Sequence, residues 1–248
     1  TGCSPNFWSR AMGWYGMALV DVLDYFPPNR PERKELIAIL NRYIEAIRKV
    51  QDRETGLWWD VLNFPGRKGN YFEASGSCMF VYTIAKAVRR GWAPSSAITA
   101  AKAGFDGILH RFIEKTASGQ LNLNGTVSVS GLGGHPYRDG SFDYYISEKI
   151  RTNDPKGMGA FLLAANEMDL ITTLAEGRGR TVLLDCYFNN EYRKNATGDL
   201  VRFHYTWDDQ SNSGFSLLGN IFHQYGARLT NLLTEPTATS LQPADIYI

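Results

Sequence analysis

Apolar positions follow two alternating patterns. Residues about 9–26 are apolar nearly all round, which a helix tolerates only when neighbours cover most of its faces. Residues about 31–51 instead place Leu36, Leu40, Tyr43, Ile44 and Ile47 on one stripe, with Arg33, Lys34, Arg42, Glu45, Arg48 and Lys49 mostly off it. The first segment predicts an inner helix and the second an outer, half-wet one. The alternation repeats. Residues about 73–90 (Met79, Phe80, Val81, Tyr82, Ile84, Ala85, Val88) are apolar all round, and residues about 95–114 carry Ile98, Ala101, Phe105, Ile108, Leu109 and Phe112 on one side. A fifth, mostly apolar helix starts at Asp154-Pro155, with Asp as N-cap and Pro at the first helical position.

The connections predict the topology. Inner-to-outer links are short (Pro27 to Arg30, Gly91 to Pro94), and outer-to-inner links are long (about 52–72 and 115–153). All long loops therefore gather at one end, and stacked antiparallel hairpins of this kind make a helical toroid. The second long loop contains LNLNGTVSVSG, whose alternation and Asn124-Gly125 turn predict a hairpin. After Gly177 the pattern changes: TVLLDCYF reads as a buried strand, SGFSLLGNIFHQYG as a helix, and RLTNLL and LQPADIYI as strands. The expected fold is mainly α. Residues 1–176 form part of a toroid, and residues 180–248 form the beginning of a parallel α/β domain.

Composition narrows the function classes. With 44% hydrophobic residues over 248 positions there is ample side chain for a core, and a formal charge of +1 gives no broad surface for neutralising phosphates. Nucleic acid is not an expected partner. No apolar run reaches membrane-spanning length, so no membrane insertion is expected. Cys3, Cys78 and Cys186 are far apart, no His cluster has ligand spacing, and Gly-rich phosphate loops are absent. No metal site, disulfide scaffold, nucleotide or other cofactor is expected.

The chemistry concentrates at the start of the first inner helix, in Trp8-Ser9-Arg10-Ala11-Met12-Gly13-Trp14. Arg10 and Trp14 share a helix face at i, i+4, and Trp8 lies just before the first turn. Indole faces pack against the C–H faces of sugars, guanidinium forks a carboxylate, and a helix N-terminus favours anions. Two indoles flanking a guanidinium would suit a uronate. The other reading, two core tryptophans with an arginine capping a loop, stays open on the residues alone. Trp59 and Asp60 close the first long loop, and Ser75 and Ser77 start the third helix at the same end. The two serines either bind a sugar oxygen or cap the helix, and capping is the commoner use. Asp21, Asp24, Asp139 and Asp143 read as caps, ion-pair partners or solvated residues, with Asp60 or Asp143 at the pocket rim as an alternative.

The ordered set FWSRAMGWYGMALVDVL, GLWWDVLN, NYFEASGSCMFVYTIAKAVRRG and YYISEKIRTNDPKGMGAFLLAANEM resembles the C-terminal half of the unsaturated rhamnogalacturonyl hydrolases, relatives of the unsaturated glucuronyl hydrolases. The resemblance spans about residues 6–170. It implies an (α/α)6 toroid whose sugar pocket is lined by Trp8, Arg10 and Trp14, which match the family's W-x-R-x-x-x-W spacing. Positions 11 and 12 are Ala-Met where relatives often have Gly-Asn. The implied reaction adds water across the C4=C5 bond of a 4,5-unsaturated uronate left by a polysaccharide lyase: an aspartic acid protonates C4, water adds at C5, and the hemiketal falls apart. That aspartate lies, in the family, on an earlier inner helix upstream of the tryptophan–arginine motif. The catalytic residue is therefore unknown here, and the chain is expected to be part of a longer polypeptide.

Two rivals follow from other classes. One is a non-catalytic sugar-binding or scaffold module with the same toroid; the other is a toroidal enzyme for saturated sugars, which needs a second carboxylate across the pocket. The expected partner is an oligosaccharide carrying an unsaturated uronate, of pectin or rhamnogalacturonan type. A periplasmic or secreted setting is preferred over a cytoplasmic one. The sequence leaves the oligomeric state open.

Overall fold

In the computed structural model, which describes residues 4–27, 29–173 and 177–248, the alternating patterns fold as helical hairpins. The chain divides into two compact units, 1–168 and 169–248. In the first, α1 (Ser9–Tyr25) turns into α2 (Glu32–Lys49), and α3 (Ala74–Arg89) turns through a short 3-10 segment into α4 (Ile98–Arg111). The predicted stripe of α2 is the buried one, with Leu40, Tyr43, Ile44 and Ile47 inside. α3 is buried from Ala74 through Ala87 and packs against both α1 and α4. Contact between α1 and α3 is close because Gly13 has no side chain: a Cβ there would lie 2.7 Å from Met79 Cβ and Sδ.

α1 differs from expectation. Ser9, Arg10, Gly13, Gly16, Met17, Leu19, Val20 and Leu23 are buried, but Trp14, Tyr15, Val22 and Tyr25 are exposed. It packs on α3 and α2, and these two neighbours cover one side of it, not most of its circumference.

Beyond α4 the chain forms β1 (Ile113–Lys115), β2 (Leu121–Leu123), β3 (Thr126–Val127), α5 (Phe142–Ser147), β4 (Ile150–Arg151) and α6 (Pro155–Thr173). The hairpin expected within LNLNGTVSVSG does not form. β2 pairs back with β1, while β3 pairs with β4. Gly125, at φ +80°, turns the chain between the two ladders without closing one, since Asn124 N donates to Phe112 O and Ala74 N to Gly125 O. The predicted fourth helix accordingly ends before β1. The short α5 is an element the sequence pattern does not announce; it covers Val61 through Phe142 and Tyr145. The expected cap at Asp154 is present, its carboxylate accepting from Lys156 N at 3.1 Å.

These connections bring three helix starts together. Ser9 N donates to Asp60 O at 2.8 Å, Ala74 N to Gly125 O at 3.0 Å, and β4 leads into α6 while paired with β3. The starts of α1, α3 and α6 thus gather about β3 and the segment 58–73, as the long-loop argument requires. Lower down, the Arg89 guanidinium forks the Glu167 carboxylate at 2.6 and 2.7 Å and ties α3 to α6. Asp21 and Asp24 are ion-pair partners of Lys86, at 2.6 and 2.8 Å.

The second unit contains β5 (Thr181–Asp185), β6 (Tyr192–Lys194), β7 (Leu200–Arg202), α7 (Ser216–Gln224), β8 (Arg228–Leu232), α8 (Ala238–Leu241) and β9 (Ile246–Tyr247). β5 is central and pairs in parallel with β8 and β9. The antiparallel pair β6–β7 has no counterpart in the sequence reading. Its exposed residues carry little of the apolar pattern on which strand prediction rests. Among the described residues, no helix is long and apolar enough to cross a membrane.

Candidate functional site

Arg10 lies in the first turn of α1 and is only 2% exposed. Its Nε donates to Ser75 Oγ at 2.7 Å, and its terminal nitrogens donate to the Val127 and Ser128 carbonyls. Beside it, fully buried Glu73 approaches to 3.6 Å. Glu73 is the N-cap of α3: it accepts from Gly76 N at 2.6 Å, from Ser75 Oγ at 2.9 and 2.8 Å, and from Val127 N at 3.0 Å. A buried charge pair is tolerated when the remaining donors and acceptors are used in this way. The guanidinium thus binds β3 and α3 from within.

Ser75 and Ser77 do not cap α3, which corrects the commoner expectation for them. Glu73 occupies the capping position. Ser75 instead relays between Arg10 and Glu73, and Ser77 Oγ accepts from Trp58 N at 3.3 Å. Both serines are fully buried.

Asp60 is also fully buried. Its Oδ1 accepts from Trp8 Nε1 at 2.9 Å, whereas Oδ2 completes no hydrogen bond. The Tyr71 hydroxyl lies beside this carboxyl and is likewise buried and unpartnered. Burial first, and then the Glu73 charge, push the Asp60 carboxyl up to about 8; the bond from Trp8, the nearby Tyr71 hydroxyl and the Arg10 charge act in the opposite direction. Burial and the two neighbouring carboxyls raise the Tyr71 hydroxyl above its ordinary range.

Trp8 joins the two halves of this network. Its partly buried ring lies under the Arg10 guanidinium at 5.2 Å and stacks on Tyr145 at 6.1 Å. The expected two-indole sandwich is not formed. Trp14 is 49% exposed and takes no part in the stack, because the Arg10 side chain turns inward to β3 while Trp14 lies on the uncovered side of α1. Trp59 is separate too: its ring packs on Phe72 at 4.1 Å, on the opposite side of an extended segment from Trp58 and Asp60. The structure therefore joins Trp8, Arg10, Asp60 and Ser75, and leaves Trp14, Trp59 and Ser77 outside that network.

Glu73 and Tyr71 are the members that sequence reasoning missed, whereas Tyr145, which the sequence offers as either a rim or a packing residue, packs on Trp8. Glu73 gave a faint signal, an acid three residues before Gly76 at the start of an apolar run, but glutamate is not among the preferred N-caps. Asp139 binds Ser141 N, as a turn residue does, and Asp143 lies in the first turn of α5. Among the described residues no His, Cys, Asp and Glu group could hold a metal ion, and Cys78 and Cys186 are free and buried; Cys3 lies outside the described residues.

The helical hairpin array that carries this site matches carbohydrate-active proteins in sequence and in fold. Residues 1–171 match the sequence model of Glycosyl Hydrolase Family 88, and the chain belongs to that family. Protein Atu3128 of Agrobacterium fabrum is 38% identical over 177 residues, covering 69% of this chain and 75% of the relative. The 24.9 kDa protein in the picA locus of Rhizobium radiobacter matches equally. Among solved structures, a glycoside hydrolase from family 105 of C. acetobutylicum is 51% identical with a TM-score of 0.67, over 68% of this chain and 47% of that one. A possible family 105 member from Klebsiella pneumoniae is 27% identical with a TM-score of 0.54, over 65% of this chain and 39% of that one. The chain thus spans about half the length, or less, of the solved structures it matches.

Proposed function

We propose that this chain is part of a hydrolase that removes a 4,5-unsaturated uronate from lyase-generated oligosaccharides of pectin or rhamnogalacturonan type, with residues 1–176 belonging to an (α/α)6 toroid. The observation that carries the reading is family 88 membership across residues 1–171, together with the Trp8, Arg10 and Asp60 network at the start of α1. The substrate is a vinyl ether. One carboxylic acid suffices to protonate C4, after which water adds at C5 and the hemiketal opens. The acid is assigned to the part of the polypeptide that precedes this chain in the family's order, and no acid described above takes its place.

Half-exposed Trp14 and the exposed part of Trp8 offer apolar ring surface to a sugar. The start of α1 brings the positive end of its helix dipole to the same place, which suits an anionic ring. Trp59, Ser75 and Ser77 line or support the same end of the helices. The three parallel strands of the second unit fit the start of a larger α/β layer, to which we assign no activity. A periplasmic or secreted enzyme would meet such oligosaccharides. The test is to incubate the full-length protein with unsaturated disaccharides and follow the ultraviolet absorbance of the conjugated double bond. The absorbance falls if the reading holds; absorbance that stays constant on every unsaturated substrate rejects it.

A further inference from the structure

Five buried side-chain oxygens lack a hydrogen-bond partner among the described residues: Ser9 Oγ, Asp60 Oδ2, Tyr71 OH, Thr126 Oγ1 and Ser130 Oγ. All belong to the segments gathered at the Arg10 site. Orphaned buried polar atoms are uncommon, so their concentration here marks a place where satisfying the backbone and holding a particular charge arrangement conflict. The charge count is equally pointed. Two fully buried carboxyls, Asp60 and Glu73, share one buried guanidinium, Arg10. Glu73 has the ion pair and four donated bonds from three groups, while Asp60 has one indole donor. The single compensated negative charge therefore belongs to Glu73.

We propose that Asp60 is a positioning residue: as a neutral carboxyl it fixes the Trp8 indole, and through that ring it keeps the Arg10 guanidinium committed to β3. The proposal rests on the sugar-binding reading above for its effect on substrate, but not for its effect on Trp8. The upward displacement of the Asp60 carboxyl to about 8 agrees with the charge count. The groups facing Asp60 are Arg10 from α1, Tyr71 from the preceding loop and Glu73 from the α3 cap, with Tyr145 of α5 behind Trp8. Once Asp60 ionises, a second anion competes with Glu73 for one guanidinium. The Trp8 and Arg10 arrangement then has to change.

The test uses the full-length protein, Asp60→Asn, Asp60→Ala and a Trp8→Phe control whose difference spectrum isolates the Trp8 emission. Asparagine keeps the acceptor oxygen and cannot ionise. The expected result is a step in wild-type Trp8 emission as pH passes about 8, with a several-fold rise in KM and little change in kcat over the same interval. Asp60→Asn should show neither step. Asp60→Ala should shift the Trp8 emission at every pH. An emission step that persists in Asp60→Asn, or Trp8 emission unchanged in Asp60→Ala, overturns the proposal. If the wild type turns over no unsaturated substrate, the functional reading fails, and the emission measurements still decide the role of Asp60.

Discussion

Arg10 and Glu73 stand 3.6 Å apart at 2% and 0% side-chain exposure, and each is bound to β3: Arg10 to the Val127 carbonyl, Glu73 to the Val127 N–H. One residue of a two-residue strand therefore receives both ends of a buried ion pair. The pair fastens the start of α1 to the start of α3, and its chemistry is intelligible only as a unit.

Breaking that unit on one side leaves a buried charge uncompensated. Arg10→Ala is expected to lower unfolding free energy by about 3–5 kcal/mol. Urea denaturation should show it as a lower midpoint with an unchanged slope. A loss within the range of an ordinary surface substitution would mean that the pair is not holding the two helices.

Asp60 makes stability depend on pH in the direction opposite to an ordinary ion-paired aspartate. Its folded value is raised from 3.8 to about 8, so its contribution is fully present below the unfolded value and is lost as pH rises through the folded one. Melting temperature should fall between pH 5 and pH 8 in the wild type, and should fall less in Asp60→Asn. Equal falls in the two proteins would remove Asp60 as the cause.

Gly13 is expected to tolerate no side chain. Gly13→Ala brings a Cβ against Met79 Cβ, which cannot swing away as a chain end could, and should cost about 1–3 kcal/mol. Calorimetry on the variant checks this. An unchanged melting temperature would show that α1 and α3 can separate freely.

Trp14 and Trp8 should respond differently to substitution. Trp14→Ala, at a half-exposed position, is expected to change stability by no more than about 0.5 kcal/mol while weakening sugar binding. Trp8→Ala removes a ring that Arg10, Asp60 and Tyr145 all use, and should lower both. Chemical denaturation beside KM on an unsaturated disaccharide separates the two. Unimpaired binding in Trp14→Ala would take that indole out of the sugar site.

The helices were legible in the sequence because their burial follows helical periodicity: Leu40, Tyr43, Ile44 and Ile47 are both the predicted and the buried stripe of α2. Long loops at one end were legible as well, since a short link leaves two helices no choice but to be neighbours. The pairing of β1 to β4 was not. Strands of two or three residues carry too little alternation to fix a partner, and Gly125 directs the chain between ladders when Asn124-Gly125 reads locally as a hairpin turn. At the site, the W-x-R-x-x-x-W spacing located Trp8 and Arg10 but not their orientation. That depended on Glu73 and Val127, which reach Arg10 from remote parts of the chain, so the guanidinium turned inward and Trp14 remained outside.

The central claim concerns the double bond of the substrate. The direct measurement gives the full-length protein a 4,5-unsaturated disaccharide and its saturated counterpart side by side, following ultraviolet absorbance for the first and released sugar for both. The account predicts loss of absorbance with stoichiometric sugar release from the unsaturated compound and none from the saturated one. Cleavage of the saturated disaccharide, or an unsaturated one that persists unchanged, would contradict it.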